Sequence, residues 1–187
     1  MTRHNIGFMV ADRLAQRTGG VWKQYHNLLL AQVGEWRLIK PLTWMNASGE
    51  ALTALGGAFA PEELLVVADD VNLGLGRLRF RAGGSGGGHN GLASVEAALG
   101  RNEYHRLRVG VGGENPVTGA ELVGFVLGEF PLLQRPLLAR VVEKASEAVE
   151  CWLREGLQPA QDRFNGCALR PEDAATVAQD GTVSPSA

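Results

Sequence analysis

The chain has 187 residues, of which 45% are hydrophobic and 20% are charged, and its formal net charge is −2. This length suits one domain with a sizeable hydrophobic core, and the composition excludes a mainly disordered chain. The small negative charge excludes diffuse attraction to nucleic acid, and no apolar run in the sequence is long enough to cross a bilayer.

Regular elements can be assigned along most of the chain from hydrophobic periodicity and from the positions of glycine and proline. The predicted elements are, in chain order, a helix over 6–17, strands over 21–25, 28–33 and 36–40, a helix over 47–59 interrupted by Gly56-Gly57, strands over 64–68 and 76–81, a helix over 90–99, a strand over 106–111, and helices over 132–155 and 158–164. Asn5 can cap the first helix, and Gly19-Gly20 can end it. Gly34-Glu35 can turn the strand over 28–33 back into the strand over 36–40, which predicts a hairpin.

Strands mixed with helices indicate an α/β fold. We expect a single domain over residues 1–166, with a twisted mixed β-sheet flanked by helices on both faces. Residues 167–187 are mostly small or polar, which predicts a disordered tail.

Two of the predicted strands, 76–81 and 106–111, alternate apolar residues with arginines. Residues 77–108 hold six arginines and two glutamates, which gives a local net charge of +4. A basic region inside an acidic chain fits a specific anionic partner better than diffuse electrostatic binding.

Polar side chains lie at the boundaries between the predicted strands and helices. His4 opens the first helix, and Asn46 precedes the second. Asp69 ends the apolar strand over 64–68, which we expect to be the buried central strand. His89-Asn90 follows a glycine-rich loop and opens the third helix. In open α/β sheets such positions gather along one edge, where ligands bind. This set predicts a hydrolytic site that uses neither serine nor cysteine as a nucleophile.

Each of these residues also has a structural alternative. Asn5 and Asn90 are good helix caps, and Asp69 can cap a turn after its strand. A lone histidine such as His4 is more often solvated than catalytic. From the residues alone, both interpretations stay open.

A glycine-rich loop over residues 82–91 lets the backbone approach a ligand closely. It lacks the Gly-Lys-Ser/Thr ending of a phosphate-binding P-loop and the Gly-x-Gly-x-x-Gly spacing of a dinucleotide fold. Nucleotide hydrolysis is therefore not expected, and a flexible connection that closes over a substrate fits the loop better.

The sequence favours a cytoplasmic protein that needs no metal or other cofactor. Cys151 and Cys167 have no histidine or cysteine at ligand spacing, which predicts reduced thiols and no zinc site. The apolar stretch over 6–11 is cut short by Asp12, so we expect neither a signal peptide nor a membrane partner. His26 and His105 are assigned to surface or structural roles.

Five motifs, in this order and spacing, resemble bacterial peptidyl-tRNA hydrolase over roughly residues 1–165. They are Thr2-Arg3-His4-Asn5-x-Gly7, Pro41-x-Thr43-Trp44-Met45-Asn46-x-Ser48-Gly49, Asp69-Asp70-x-x-Leu73, Gly87-Gly88-His89-Asn90-Gly91-Leu92 and Arg106-Leu107-Arg108-x-Gly110-x-Gly112. The stretch Val123-Gly124-Phe125-Val126-Leu127 matches as well. This family cleaves the ester that joins a peptide to the terminal ribose of tRNA, recycles tRNA from aborted translation, and acts as a monomer without a metal.

The resemblance implies that His4 is the general base that activates water, and that Asp69 orients and polarises this histidine. Asn46 and Asn90 correspond to residues that hold the substrate backbone and the attacking water, and Trp44 lines the same cleft. The chemistry agrees, because a neutral imidazole can take a proton from water while a carboxylate on its other nitrogen fixes the tautomer.

The resemblance also implies that Arg79, Arg81 and Arg108 bind the phosphates of the tRNA. The planar fork of arginine suits phosphate, and arginines that alternate along a strand present a row of such forks. The partner implied is therefore peptidyl-tRNA, with no obligate protein partner.

The family pattern places a strand and a Gly-x-x-Asn-Pro-Gly motif before the Thr2–Asn5 motif, and this sequence starts after both. We expect a misassigned start or a truncated sequence rather than a genuine short enzyme. Taken literally, the chain as written should be unstable and nearly inactive, because its sheet would lack a strand. Two other functions are open: a non-catalytic tRNA- or RNA-binding homologue, and a small-ester hydrolase, which leaves the arginines without a purpose.

Overall fold

Two three-stranded β-sheets form the centre of the fold in a computed structural model, which describes residues 2–56, 59–113 and 115–170. The strands are β1 (Lys23–Tyr25), β2 (Leu28–Val33), β3 (Trp36–Pro41), β4 (Leu65–Gly74), β5 (Leu78–Arg81) and β6 (His105–Gly112). β1, β2 and β3 form an antiparallel sheet in chain order, which confirms the predicted hairpin. In the second, mixed sheet, β6 lies between β4, which is parallel to it, and β5, which is antiparallel.

Helices cover both faces of the mixed sheet, which confirms the predicted α/β architecture. The helices are α1 (Ile6–Thr18), α2 (Glu50–Ala54), α3 (Asn90–Leu99), α4 (Ala120–Leu127), α5 (Arg135–Glu155) and α6 (Leu157–Phe164). Side chains of α1 and α5 share a core with Leu107 and Val109 of β6, while α2 and α3 pack with Val66 of β4 on the opposite face. Each described helix is too short or too polar to cross a membrane.

The central strand of the mixed sheet is β6 and not the predicted apolar strand. Within the described ranges, β4 pairs with β6 alone, and it continues to Gly74 with a shift of register after Asp70. An apolar run looks the same in any strand that helices cover on both faces, so the pattern could not place the strand within the sheet. Asp69 therefore lies inside β4 instead of at its end.

The second predicted helix is also much shorter than expected. Met45–Ala47 forms a 3-10 turn, and α2 ends before Gly56, whose φ of +98° is incompatible with a helix. Gly57, the other half of the predicted interruption, lies outside the described residues. No local pattern predicts α4, because its eight residues are bounded by Gly119 and Gly128 and contain Gly124.

The first residues of the predicted tail lie against the fold. Ala168 forms a β-bridge with Arg77, and the Leu169 amide donates to the Gly76 carbonyl at 2.9 Å. The rest of the tail, 171–187, lies outside the described residues, so its disorder and the domain boundary at residue 166 stay predictions.

α1 lies close against β4 because Gly7 has no side chain. A Cβ at this position would overlap the backbone carbonyl oxygen of Val67. Asn5 occupies the N-cap position, but its side chain makes no capping hydrogen bond, so that part of the prediction is wrong. Gly19 ends the helix in the left-handed conformation, as predicted. The close approach brings His4, just before α1, next to β4.

We predict that Gly7→Ala lowers the free energy of unfolding by about 2 kcal/mol, because the added methyl forces α1 away from β4. Activity should fall as well, since the same shift moves His4. The matched control is Gly124→Ala at an exposed position of α4, where no atom outside the adjoining residues and the helix backbone lies within 4 Å of the added Cβ and alanine is the better helix former. Denaturant unfolding checks both variants, and a G7A protein as stable as G124A would contradict the close-packing argument.

Candidate active site

Two histidines converge on one buried carboxylate. His4 Nδ1 lies 2.7 Å from Asp69 Oδ1, and His89 Nε2 lies 3.0 Å from the same oxygen. Asp69 is 4% exposed. The His4 and His89 ring centroids are 5.0 Å apart. The three side chains therefore form a cluster, which we call the Asp69 cluster.

Asp69 is ionised at neutral pH in this cluster. Burial by itself raises the pKa of Asp69, but the hydrogen bonds from His4 and His89 outweigh burial and lower it from 3.8 to about 2. An ionised carboxylate only accepts hydrogen bonds, so each imidazole presents an N–H to Oδ1.

His89 is held from its other side by the start of α3. Its Nδ1 accepts hydrogen bonds from the backbone amides of Gly91 and Leu92, at 3.1 and 3.2 Å. His89 is thus the N-cap of α3, and Asn90 is the first residue of the helix. The structural alternative for Asn90, that it caps α3, is therefore wrong, and its side chain is left for another role.

The segment that carries His4 is anchored by Arg3. The Arg3 guanidinium Nη1 donates to the carbonyl oxygens of Phe125, Gly128 and Glu129, at 3.1 to 3.2 Å, and it stacks on the Phe125 ring at 4.2 Å. Arg3 is only 8% exposed. These bonds cap the carboxyl end of α4 and fix it to the turn that contains His4.

The Asp69 cluster opens into a cleft of about 430 Å³. The cleft is lined by His4, Trp44, Met45, Asn46, residues 69–72, the end of the glycine loop at 86–90, Arg108 and the apolar side chains Leu122, Val123, Val126 and Leu127 of α4. Trp44 stands at this cleft with 86% of its surface exposed. The site thus has one polar wall and one apolar wall, a combination common in ligand pockets.

Asn46 and Asn90 are brought together by the packing of the 3-10 turn and α2 against α3. The Gly49 amide donates to Ser94 Oγ at 3.0 Å, and a side chain at Gly49 would overlap the Ser94 carbonyl. Both asparagines are exposed, and neither side chain hydrogen-bonds to another residue in the described part of the chain. Their amide groups are therefore free to bind a ligand in the cleft.

Two arginines of β6 fix the glycine loop. Arg106 Nη1 and Arg108 Nη2 both donate to the Ser85 carbonyl, at 3.0 and 2.9 Å. Arg108 also pairs with Asp70 at 3.1 Å, while Arg106, which is 1% exposed, pairs with Glu96 of α3 at 3.0 Å. Arg106 thus has a buried structural role, and the loop has two fixed attachments at Ser85.

Arg79 and Arg81 lie outside the cleft, on exposed positions of β5. The register of the mixed sheet pairs Arg79 with Arg108 and Arg81 with Arg106. Paired residues of antiparallel strands point to the same face, so Arg79 continues the surface that begins at Arg108 in the cleft.

The cleft contains most of the site residues predicted from the sequence, namely His4, Trp44, Asn46, Asp69, Asn90 and Arg108. Three features were missed: the contact of His89 with Asp69, the anchoring by Arg3, and the α4 wall. The motifs contain His89 and Arg3, and the apolar stretch over 123–127 was visible, but their contacts depend on distant parts of the chain. His105 is structural as predicted, because its Nδ1 accepts a hydrogen bond from Trp152 Nε1 at 2.8 Å.

The Asp69 cluster also has ligand atoms within 4.8 Å of one another, a spacing that a metal ion could bridge. The bonds of His89 disfavour that use. A neutral imidazole that binds a metal through Nε2 carries its proton on Nδ1, but Nδ1 of His89 faces two amide donors. The donor set suits hydrogen bonding to Asp69 better than metal ligation, and the absence of a metal requirement stays a prediction.

Comparison with known proteins gives one consistent family. The sequence profile of the peptidyl-tRNA hydrolase family matches residues 1–173. Peptidyl-tRNA hydrolase of Thermus thermophilus is 46% identical over 171 residues, which is 90% of each chain, and that of Rubrobacter xylanophilus is 43% identical over 90% of this chain and 94% of its own. The crystal structure of peptidyl-tRNA hydrolase from Acinetobacter baumannii superposes with a TM-score of 0.81, at 28% identity, over 89% of this chain and 88% of that chain.

The lowered pKa of Asp69 predicts a stability effect at acid pH. A carboxylate whose pKa is lower in the folded state stabilises the fold above about pH 4, and this contribution is lost as the pH falls toward 2. The stability difference between the natural chain and Asp69→Asn should therefore shrink by about 1 kcal/mol between pH 5 and pH 3. Urea unfolding across this range checks the prediction, with Asp162→Asn at an exposed position of α6 as the control. A difference that does not change with pH would contradict the assignment.

Proposed function

The chain belongs to the peptidyl-tRNA hydrolase family and hydrolyses the ester bond between peptide and tRNA, and on this premise we propose that His4 is the general base of the reaction. The observation that carries the proposal is the 2.7 Å hydrogen bond between His4 Nδ1 and Asp69. With its proton on Nδ1 and held by an ionised carboxylate, the ring has its lone pair on Nε2. That nitrogen makes no hydrogen bond to the rest of the described chain, and so it is available to a water molecule in the cleft.

In the proposed mechanism, His4 Nε2 takes a proton from water as the oxygen attacks the ester carbonyl carbon. The imidazolium that forms is stabilised, because Asp69 stays ionised beside the new cation. The tetrahedral intermediate then collapses, the bond to the ribose oxygen breaks, and the imidazolium returns its proton to that oxygen. The products are free tRNA and a peptide with a free carboxyl group.

Asn46 and Asn90 are proposed to bind the substrate around the scissile ester. Each side-chain amide has donors for a developing oxyanion and an acceptor for peptide N–H groups. Their exposure in the cleft and their lack of partners in the described part of the chain support this role. Trp44 is proposed to line the substrate path, since its exposed ring offers an apolar surface at the cleft.

Arg79, Arg81 and Arg108 are proposed to bind tRNA phosphates. The register of β5 and β6 supports a continuous path, with Arg108 in the cleft and Arg79 beside it on the same face. Since two donors of Arg108 already bind Asp70 and Ser85, we expect Arg79 and Arg81, which are exposed, to contribute more to phosphate binding.

We further propose that the protein acts in the cytoplasm as a monomer, without a metal or other cofactor. Cys151 and Cys167 are free thiols, which suits a reducing compartment. The catalytic steps above require only protein side chains and water. The two alternatives, an RNA-binding homologue without activity and a small-ester hydrolase, are set aside because the relatives of the chain are hydrolases of peptidyl-tRNA.

Replacing His4 by alanine should lower kcat on an N-blocked aminoacyl-tRNA by about 10²- to 10⁴-fold, because it removes the general base. The affinity for uncharged tRNA should not change. The control is His26→Asn, since His26 is exposed, lies outside the cleft, and has a φ of +50° that asparagine tolerates. Single-turnover hydrolysis and filter binding measure the two quantities. Normal turnover in H4A would disprove the role of His4.

The double variant Arg79→Gln with Arg81→Gln should raise KM and leave kcat at saturation close to that of the natural chain. The salt dependence of tRNA binding should become less steep, by about 0.7–0.9 in log–log slope for each phosphate that the variant no longer binds. Arg37→Gln, at an exposed position of β3 in the other sheet, is the matched control. An unchanged salt slope in the double variant would rule out phosphate binding by these two arginines.

A further inference from the structure

We propose that His89 is a positioning residue that holds Asp69 in the orientation His4 needs, and that it does so in a fixed tautomer set by the start of α3. The proposal rests on the proposed roles of His4 and Asp69. Its basis is a chain of hydrogen bonds that runs from the amides of α3 through the His89 ring to Asp69 Oδ1 and on to His4.

The tautomer of His89 follows from its partners. The Gly91 and Leu92 amides can only donate, so Nδ1 of His89 must present its lone pair to them. The ring proton of the neutral imidazole is then on Nε2, which lies 3.0 Å from Asp69 Oδ1. Both nitrogens of His89 are therefore used, one as an acceptor and the other as a donor.

The position of the ring is fixed by the loop before it. Gly87 and Gly88 have φ values of +63° and +81°, which a residue with a side chain rarely adopts, and His89 itself returns to extended backbone. The His89 amide donates to the Gly86 carbonyl at 3.2 Å, which closes the turn. The glycines thus bring His89 to Asp69 at the point where α3 begins.

Asp69 needs this second donor for two reasons. Its carboxylate is almost fully buried, and a buried charge is stable only with sufficient hydrogen bonds. The bond to His4 alone leaves the carboxylate able to turn about that single hydrogen bond. A donor from α3 on the same oxygen restricts that rotation, so the direction in which His4 Nε2 points is set from both faces of the sheet.

The two functions of the His89 ring can be separated by substitution. Asparagine places an oxygen near the position of Nδ1, so His89→Asn keeps the helix cap and loses the donor to Asp69. Glutamine is long enough to place an N–H near the position of Nε2, so His89→Gln keeps the donor and loses the cap. The pair therefore distinguishes a positioning role from a capping role.

We expect H89N to lower kcat by about 10-fold with little change in KM, because one hydrogen bond to a charged group is lost. Its Tm should fall by about 3 °C, because the buried Asp69 carboxylate loses one of its two imidazole donors. H89Q should have a kcat at least about fivefold above that of H89N, because the charge-assisted bond is restored. Its Tm should fall by about 3 °C, because the helix cap is lost.

The opposite pattern would overturn the proposal: H89N with normal kcat, or an equal loss of kcat in H89N and H89Q, would leave His89 with a capping role only. Nitrogen-15 spectra of histidine-labelled protein supply a measurement independent of activity. The expected result is a proton on Nε2 of His89 and none on Nδ1, and the reverse assignment would refute the tautomer. Failure of the proposed function is recognised separately, as normal turnover in H4A.

Discussion

Asp69 Oδ1 accepts hydrogen bonds from two imidazoles that belong to opposite faces of the mixed sheet. His4 stands before α1 on one face, and His89 stands before α3 on the other. Each bond forms only if its helix is correctly placed on the sheet. Gly7 permits the close approach of α1, and Gly87 and Gly88 permit the turn into α3. A buried carboxylate without these donors would be costly, so the energy of this one group depends on the packing of both layers.

Burial divides the arginines of the mixed sheet between two tasks. β6 is the central strand and is covered by α3, so Arg106 becomes a structural residue that joins Glu96, Ser85 and Asn102. β5 extends the sheet on the other side of β6, so Arg79 and Arg81 stay exposed. Arg108 lies between these cases, since it fixes the glycine loop and also lines the cleft. Alternation along a strand therefore predicts on which face of the sheet an arginine lies. The elements packed against that face determine whether the arginine can bind an external ligand.

The sequence predicted the elements well where local patterns decide the structure, as in α3, whose bounds of 90 and 99 agree, and in the hairpin of β2 and β3. It also predicted the shared cleft of His4, Asp69, Asn46 and Asn90, because the predicted elements place each of them at a strand end or a helix start. The sequence-based prediction failed where the structure depends on a long-range contact. The order of strands in the mixed sheet, the burial of Arg106, and the contact of His89 with a residue twenty positions away depend on tertiary packing that no local pattern contains.

α4 shows how such packing connects the two walls of the cleft. Arg3 is the neighbour of His4 in the chain, and its guanidinium satisfies three carbonyls at and beyond the end of α4. The Arg3 amide also donates to the Gly128 carbonyl, at 3.1 Å. The apolar wall formed by Leu122, Val126 and their neighbours is thus fixed to the same turn that presents the general base. Because Arg3 joins these two elements directly, through both its guanidinium and its backbone amide, the distance between the base and the apolar wall is set by contacts of one buried residue.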